Sequence, residues 1–178
     1  MNKSQIRNKI LKLRKKNYVK NIEIDFKYIL QILRKKKIQG KIIGGYYPIN
    51  HELSDIQILE KFEKLDYLVT LPKIKKNSQM DFFYWTTKDP LIINSYGIPE
   101  PTSNKIKYPD ILLVPLVAFD NDFNRVGYGG GFYDRYIKKK KNKKIITIGL
   151  AYSFQRVKKI MINKYDSKLD FIITEKKN

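Results

Sequence analysis

The segment RVGYGGGFYDRY, residues 125–136, gathers the residue types best suited to chemistry in this chain. Four of the nine glycines, Gly127, Gly129, Gly130 and Gly131, fall within five positions directly ahead of an expected helix. Successive glycines permit positive φ and let a ligand approach the main chain. Their N–H groups can converge on an anion, and the helix N-terminus behind them adds partial positive charge. Arg125 offers a guanidinium fork that matches a phosphate. Asp134, in the first helical turn, serves either as a capping charge or as a Mg²⁺ ligand beside phosphate oxygens. Asp166, in NKYDSKLD, is a candidate second carboxylate from a distant loop. A tight strand-to-helix turn would use the same glycines. The standard nucleotide fingerprints do not decide between these readings. GxxxxGK[ST] is absent, Phe132 stands where GxGxxG needs its last glycine, and no acidic residue follows a strand at dinucleotide spacing.

The elements that must position this loop are legible as hydrophobic periods. Ile6, Ile10 and Leu13 predict a helix from Lys3 to about Val19, and a second helix is expected from about Glu23 to Lys36. KIIGGYYP reads as a short strand closed by Pro48. Ser54 is the expected N-cap of a helix through Leu65 that carries Ile56, Leu59 and Phe62. YLVTLP and FFYW read as strands, and SYGIPEP (95–101) as an extended loop. ILLVPLVAF (111–119) reads as a central strand with a bulge at Pro115. A helix from about Phe132 to Lys140 follows the glycines, then strands in KIITIGLAY and LDFIITE. Such alternation predicts an α/β three-layer sandwich, Rossmann-like, with a mainly parallel central sheet flanked by helices. The glycine loop then lies beyond the carboxyl end of a strand, where such sheets bind ligands.

Bulk composition narrows the class. The 178 residues suit one domain spanning 1–178, and 42% hydrophobic content is well above a disordered composition. No run approaches the ~20 apolar residues of a membrane helix, and the basic N-terminus lacks the apolar stretch of a signal peptide. There is no cysteine, which excludes disulfides and thiolate metal sites. A cytoplasmic protein without a membrane partner is the expectation. The formal charge of +20 admits nucleic-acid binding. The lysines are scattered rather than set in a stripe, however, and no RNP-like, zinc-finger or helix-turn-helix pattern appears, so a solvated basic surface is favoured. The tract KKKKNKK (138–144) suits a solvated helix end, and the single histidine, His51, is expected at the surface without a catalytic role.

LLVPLVAFDNDFNRVGYGGGFYDRY closely resembles the signature region of the 5-formyltetrahydrofolate cyclo-ligase (methenyltetrahydrofolate synthetase) family. KSQIR resembles that family's N-terminal nucleotide contact and YYPINHEL its folate segment, while NSYGIPEP, IGLAYSFQ and LDFIITE follow in the family's order. The resemblance implies ATP- and Mg²⁺-dependent cyclisation of 5-formyltetrahydrofolate to 5,10-methenyltetrahydrofolate, with release of ADP and phosphate. It places ATP against Lys3, Ser4, Gln5, Ile6 and Arg7, with Lys3 and Arg7 presented on one helix face toward the phosphates. It further places ATP against Arg125, Val126, Gly127, Tyr128, Gly129, Gly130, Gly131, Phe132 and Tyr133, with Tyr133 at the edge of the triphosphate. Arg125 and Asp134 are the implied catalytic pair, with Asp134 and Asp166 holding Mg²⁺. Tyr47 and Glu52 match folate-contacting positions, and Tyr128 to Phe132 border both substrates. Trp85 is equally suited to stacking on the folate ring or to the core. Gly130 stands where some members carry a lysine, so phosphate stabilisation falls more on backbone donors, Lys3, Arg7 and Arg125. The basic surface would suit polyglutamylated folates, and a monomer or weak homodimer is expected. A nucleic-acid binder, and a folate or nucleotide binder without turnover, are the alternative classes.

Overall fold

The computed structural model describes residues 1–19, 22–75, 79–140 and 145–176. Along the chain its elements are α1 (Lys3–Lys16), α2 (Phe26–Lys35), β1 (Ile42–Gly44), α3 (Ile56–Glu63), β2 (Leu68–Lys75), β3 (Gln79–Tyr84), β4 (Leu91–Ile93), β5 (Pro99–Pro101), β6 (Ile111–Pro115), β7 (Ala118–Phe119), β8 (Arg125–Val126), α4 (Phe132–Lys139), β9 (Ile146–Ala151) and β10 (Phe171–Thr174). The central sheet has the order β10-β9-β6-β1-β2-β3. All its pairings are parallel except β2 with β3.

The sheet is covered on both faces, which explains why its strands are near-continuous apolar runs. Side chains alternate along a strand, so Ile111 and Leu113 of β6 pack with Ile29, Leu33, Leu59 and Phe62 from α2 and α3. Leu112 and Val114 face the other way and pack with Tyr136 of α4, Phe82 and Ile172. Each such side chain contributes about 1.5–3 kcal/mol by leaving water. The expected three-layer sandwich is therefore the observed one. α1 stands apart and packs Ile6 and Ile10 against Val117, Ala118 and Val126 around the β7–β8 hairpin. Among the described residues no helix is long and apolar enough to cross a membrane.

The strand order reverses beside β1. The chain runs from β1 to β2 on one side and later enters β6 on the other. The crevice beyond the carboxyl ends of β1 and β6 is thus a topological switch point, where open α/β sheets bind ligands. Residues 45–52 and the β7–β8–glycine segment form its two rims.

Several local expectations change. The run 111–119 splits, because Pro115 has no N–H to continue the ladder; it ends β6, and Ala118–Phe119 instead pairs with Arg125–Val126. SYGIPEP is not a plain loop. Pro99–Pro101 pairs with Leu91–Ile93, and the turn is closed by Asn94 Oδ1, which accepts from Tyr96 N (2.8 Å) and Ile98 N (3.0 Å). Glu100 Oε1 then accepts from Ile74 N at 2.6 Å and ties this hairpin to β2. The N-cap position of α3 is Asp55 rather than Ser54, and its carboxylate is diverted to Tyr46 N at 2.8 Å. α1 ends at Lys16 rather than Val19, and α2 begins at Phe26 because Asp25 caps it. Trp85 belongs to the core, with its Nε1 donating to Asp89 O at 3.2 Å. Of KKKKNKK, residues 138–140 end α4 and 141–144 lie outside the described residues.

Candidate active site

A cavity of about 760 Å³ occupies the switch point. Its floor is Pro115 and the side chains of β2 and β3. One rim carries Tyr46, Tyr47 and Glu52, and the opposite rim runs from Arg125 through Arg135. Lys3 and Arg7 of α1, the β4–β5 hairpin and the Asn163–Asp166 loop complete the wall. Of the expected ATP segment near the N-terminus, only Lys3 and Arg7 line it. Ile6 packs in the α1 core cluster, Gln5 is spent in a capping box with Asn2, and Ser4 is exposed.

Two arginines hold the glycine loop by its carbonyls. Arg7 Nε donates to the Gly127 carbonyl at 2.8 Å, and Arg135 Nη2 to the Gly130 carbonyl at 2.8 Å. The loop forms no hydrogen bond from the N–H groups of residues 128–131 to any described residue. Gly129 (φ 110°) and Gly131 (φ 66°) adopt conformations that disfavour any other residue. A Cβ on Gly127 would meet nothing within 4 Å, so packing does not require glycine there, whereas close approach of a ligand would. At Gly130 a Cβ would strike the Phe132 ring at 2.7 Å, so this position has no room for a side chain unless that ring moves.

Arg125 and Asp134 come together, in an unexpected way. Arg125 is only 8% exposed, and its fork is taken by the protein: Nη2 donates to Asp134 Oδ1 at 2.9 Å and Nη1 to the Ser167 carbonyl at 2.5 Å. A bidentate phosphate contact would require it to leave both partners, so in this arrangement Arg125 orients Asp134. The Ser167 N–H donates to the same Oδ1 at 2.9 Å. Asp166 accepts from Lys3 Nζ and, at 2.6 Å, from Asn163 N. Partial burial pushes the Asp166 carboxyl up, but these two bonds and the Lys3 and Arg125 charges outweigh it and hold it below the usual range.

The donor set fits Mg²⁺. Among the described residues no cluster of three or more His, Cys, Asp or Glu forms a closed cage. Two carboxylates at one cavity suit an ion that takes one or two protein oxygens together with phosphate oxygens and water. The hydrogen bonds described use Oδ1 of Asp134 and Oδ2 of Asp166, and leave the second oxygen of each for a metal.

The other end of the cavity is buried and acidic. Glu52 is 6% exposed and closes a tight turn in which Asn50 (φ 48°) and His51 (φ 62°) are left-handed. Ile49 N donates to Glu52 Oε2 at 2.8 Å. Burial pushes the Glu52 carboxyl up to about 7, against the Ile49 N–H, the Arg14 charge and a hydrogen bond from Tyr128. Burial also raises Asp55, Tyr46 and Tyr133 well above their ordinary values. Tyr133, expected at the edge of the triphosphate, turns its hydroxyl toward this acidic group, where it has no described partner; neither has Asp55 Oδ1. Unpaired buried polar atoms are costly, and Tyr133, which lines the cavity, is placed where a ligand can supply the missing partner. Tyr47 lines the same rim and is more than a third exposed. His51 lies outside the cavity with its ring against Tyr18.

Sequence reasoning missed Arg14, Tyr46, Asp55 and the β4–β5 hairpin with Tyr96 and Glu100. Only Arg14 carried a signal, since it continues the Ile6–Ile10 stripe of α1 at the same four-residue spacing.

Comparison with known proteins covers nearly the whole chain. A family model described as the 5-formyltetrahydrofolate cyclo-ligase family matches residues 1–175. A 5-formyltetrahydrofolate cyclo-ligase of Haemophilus influenzae is 38% identical over 136 residues, covering 72% of each chain. One of Mycoplasma pneumoniae is 32% identical over 136 residues, covering 76% of this chain and 73% of that one. Two solved structures share the fold at 27% identity. The 5,10-methenyltetrahydrofolate synthetase of Mycoplasma pneumoniae has a TM-score of 0.75, covering 99% of this chain and 100% of that one. That of Aquifex aeolicus has a TM-score of 0.76, covering 99% and 91%. With the family match extending from α1 through the last strand, and relatives and folds agreeing, the chain belongs to the 5-formyltetrahydrofolate cyclo-ligase family of enzymes.

Proposed function

We propose that this chain converts 5-formyltetrahydrofolate to 5,10-methenyltetrahydrofolate with ATP and Mg²⁺, releasing ADP and phosphate. The observation that carries this reading is one cavity whose two ends differ. An anion end has free backbone N–H groups, Lys3, Arg7 and two carboxylates, and an acidic end is built on Glu52. A volume of about 760 Å³ lies within the usual range for ligand sites.

The chemistry needs little from side chains beyond placement. The formyl oxygen of the substrate is a poor leaving group. Its attack on the γ-phosphorus of ATP forms a C–O–P link and expels ADP. N10 then closes on the formyl carbon, loses its proton, and phosphate departs with the former formyl oxygen. Lys3, Arg7 and the N–H groups of residues 128–131 hold the triphosphate and stabilise its charge. Arg125 and Ser167 fix the orientation of Asp134, and Lys3 that of Asp166. When bound there, Mg²⁺ neutralises phosphate charge as it is redistributed. Tyr47 and Glu52 hold the folate, with Glu52 accepting from pterin N–H groups. The bare backbone at Gly127 lets the two substrates approach each other.

Mixing the protein with ATP, Mg²⁺ and 5-formyltetrahydrofolate should give methenyl-folate absorbance that depends on all three. Absence of product above a no-enzyme control would overturn the proposal. The same test separates this enzyme from a folate or nucleotide binder without turnover.

A further inference from the structure

Arg14 has no part in the function proposed above, yet at 1% exposure it is among the most deeply buried side chains. Burying a guanidinium is expensive unless its donors are used. Nη1 donates to the Leu116 carbonyl at 3.3 Å, but Gln155 Nε2 already serves that carbonyl at 3.0 Å, so the oxygen does not need an arginine. Nη2 donates to the Tyr128 hydroxyl, and the guanidinium carbon sits 5.5 Å from the centre of the Tyr128 ring. A phenol that accepts from an arginine keeps one proton to give, and Glu52, on the facing rim of the same cavity and electrostatically coupled to Tyr128, is the acceptor at hand. Arg7, two turns earlier on α1, holds the Gly127 carbonyl. Tyr128 is therefore clamped by one helix through both its backbone and its hydroxyl.

We propose that Arg14 is a positioning residue: through the Tyr128 phenol it fixes how the Glu52 carboxyl faces the cavity and stabilises its negative charge. The importance of this for folate rests on Glu52 being a folate contact. A positive charge passed through a hydrogen-bonded phenol makes that phenol a stronger donor. Burial alone works in the opposite sense, and the other titratable groups nearby do not offset it. Tyr46 after β1, Asp55 ahead of α3 and Tyr133 of α4 all lie within its electrostatic reach, and none carries positive charge. Arg14 is the only cation that lowers the Glu52 carboxyl among the described residues, while the Ile49 N–H and Tyr128 supply its hydrogen bonds.

The test is a carboxyl ¹³C NMR titration of the free, glutamate-labelled protein, with the Glu52 signal identified by its loss in Glu52→Gln. The wild-type midpoint is expected near 7. In Arg14→Gln and in Tyr128→Phe it should move up by about one pH unit, and the double variant should move it by less than the sum of the two. At pH 7 the KM for 5-formyltetrahydrofolate should rise up to about tenfold in Arg14→Gln while the KM for ATP changes by less than about twofold. A midpoint unmoved in Tyr128→Phe would overturn the relay, and Tyr128→Phe decides the matter alone if Arg14→Gln fails to fold. An ATP KM that rises in parallel would show a merely structural Arg14. The titration needs no turnover, so it stands or falls independently of the proposed reaction.

Discussion

The two ends of the cavity manage buried charge in opposite ways. At the anion end each carboxylate has a cationic partner: Asp134 has Arg125 and Asp166 has Lys3. Both carboxylates keep about a quarter of their side-chain exposure, so they remain reachable from the cavity. At the acidic end Glu52 and Asp55 are almost sealed off, and burial drives both toward the protonated form. The first arrangement suits a metal and phosphates, which paired and reachable charges can hold. The second suits a ligand rich in N–H and N groups, because a carboxyl poised near 7 can accept or donate. A fold that wanted stability alone would fill the acidic end with hydrocarbon.

The largest expected effect breaks the anion end. Asp134→Ala should lower Mg²⁺-dependent turnover by about 10²-fold or more. It should also cost about 3 kcal/mol in urea unfolding, because Arg125 is left buried without its partner. Asp134→Asn keeps an oxygen for Arg125 and the Ser167 N–H, so it should lose turnover while retaining most of the stability. Equal turnover in Asp134→Asn and wild type would remove Asp134 from the metal site.

A smaller effect, of opposite sign, comes from the acidic end. Below about pH 4.5 Glu52 is protonated in both folded and unfolded chains. As pH rises toward 7 the unfolded chain releases that proton and the folded chain keeps it, so stability falls across the window and stays lower above it. Glu52→Gln should therefore match wild type near pH 4 and exceed it by up to about 3 kcal/mol at pH 8. Unfolding curves at the two pH values read this directly, and a constant difference between them would contradict a carboxyl titrating near 7.

The smallest stability effect is expected at Lys3. Its pair with Asp166 is about a quarter exposed on each side, so Lys3→Met should change stability by less than about 1 kcal/mol. The KM for ATP should nevertheless rise about tenfold, the scale of a charge-assisted phosphate contact. An unchanged ATP KM would leave Lys3 a surface cation and weaken the contrast between the two ends.

What could be read in advance follows from how far each feature reaches along the chain. The sheet strands announce themselves as apolar runs because both faces are covered. The glycine loop is local, so its φ > 0 positions and the helix behind it are visible in twelve consecutive residues. Lys3 and Arg7 share a helix face by spacing alone. Asp55 gave no sign, since its carboxylate is claimed by Tyr46 across a turn that only the folded rim creates. Arg125 is legible as a site residue, whereas its bonds to Ser167 and Asp134 arise from tertiary packing and leave no trace in the sequence. The β4–β5 hairpin was hidden by its prolines, which suit an edge strand as well as a loop.

The central claim is that the γ-phosphate and the folate formyl group meet over the glycine backbone. Turnover of 5-formyltetrahydrofolate carrying ¹⁸O in its formyl group, followed by mass analysis of the released phosphate, tests it most directly. The account predicts one ¹⁸O atom in each phosphate formed. Phosphate carrying oxygen only from water and ATP would contradict it.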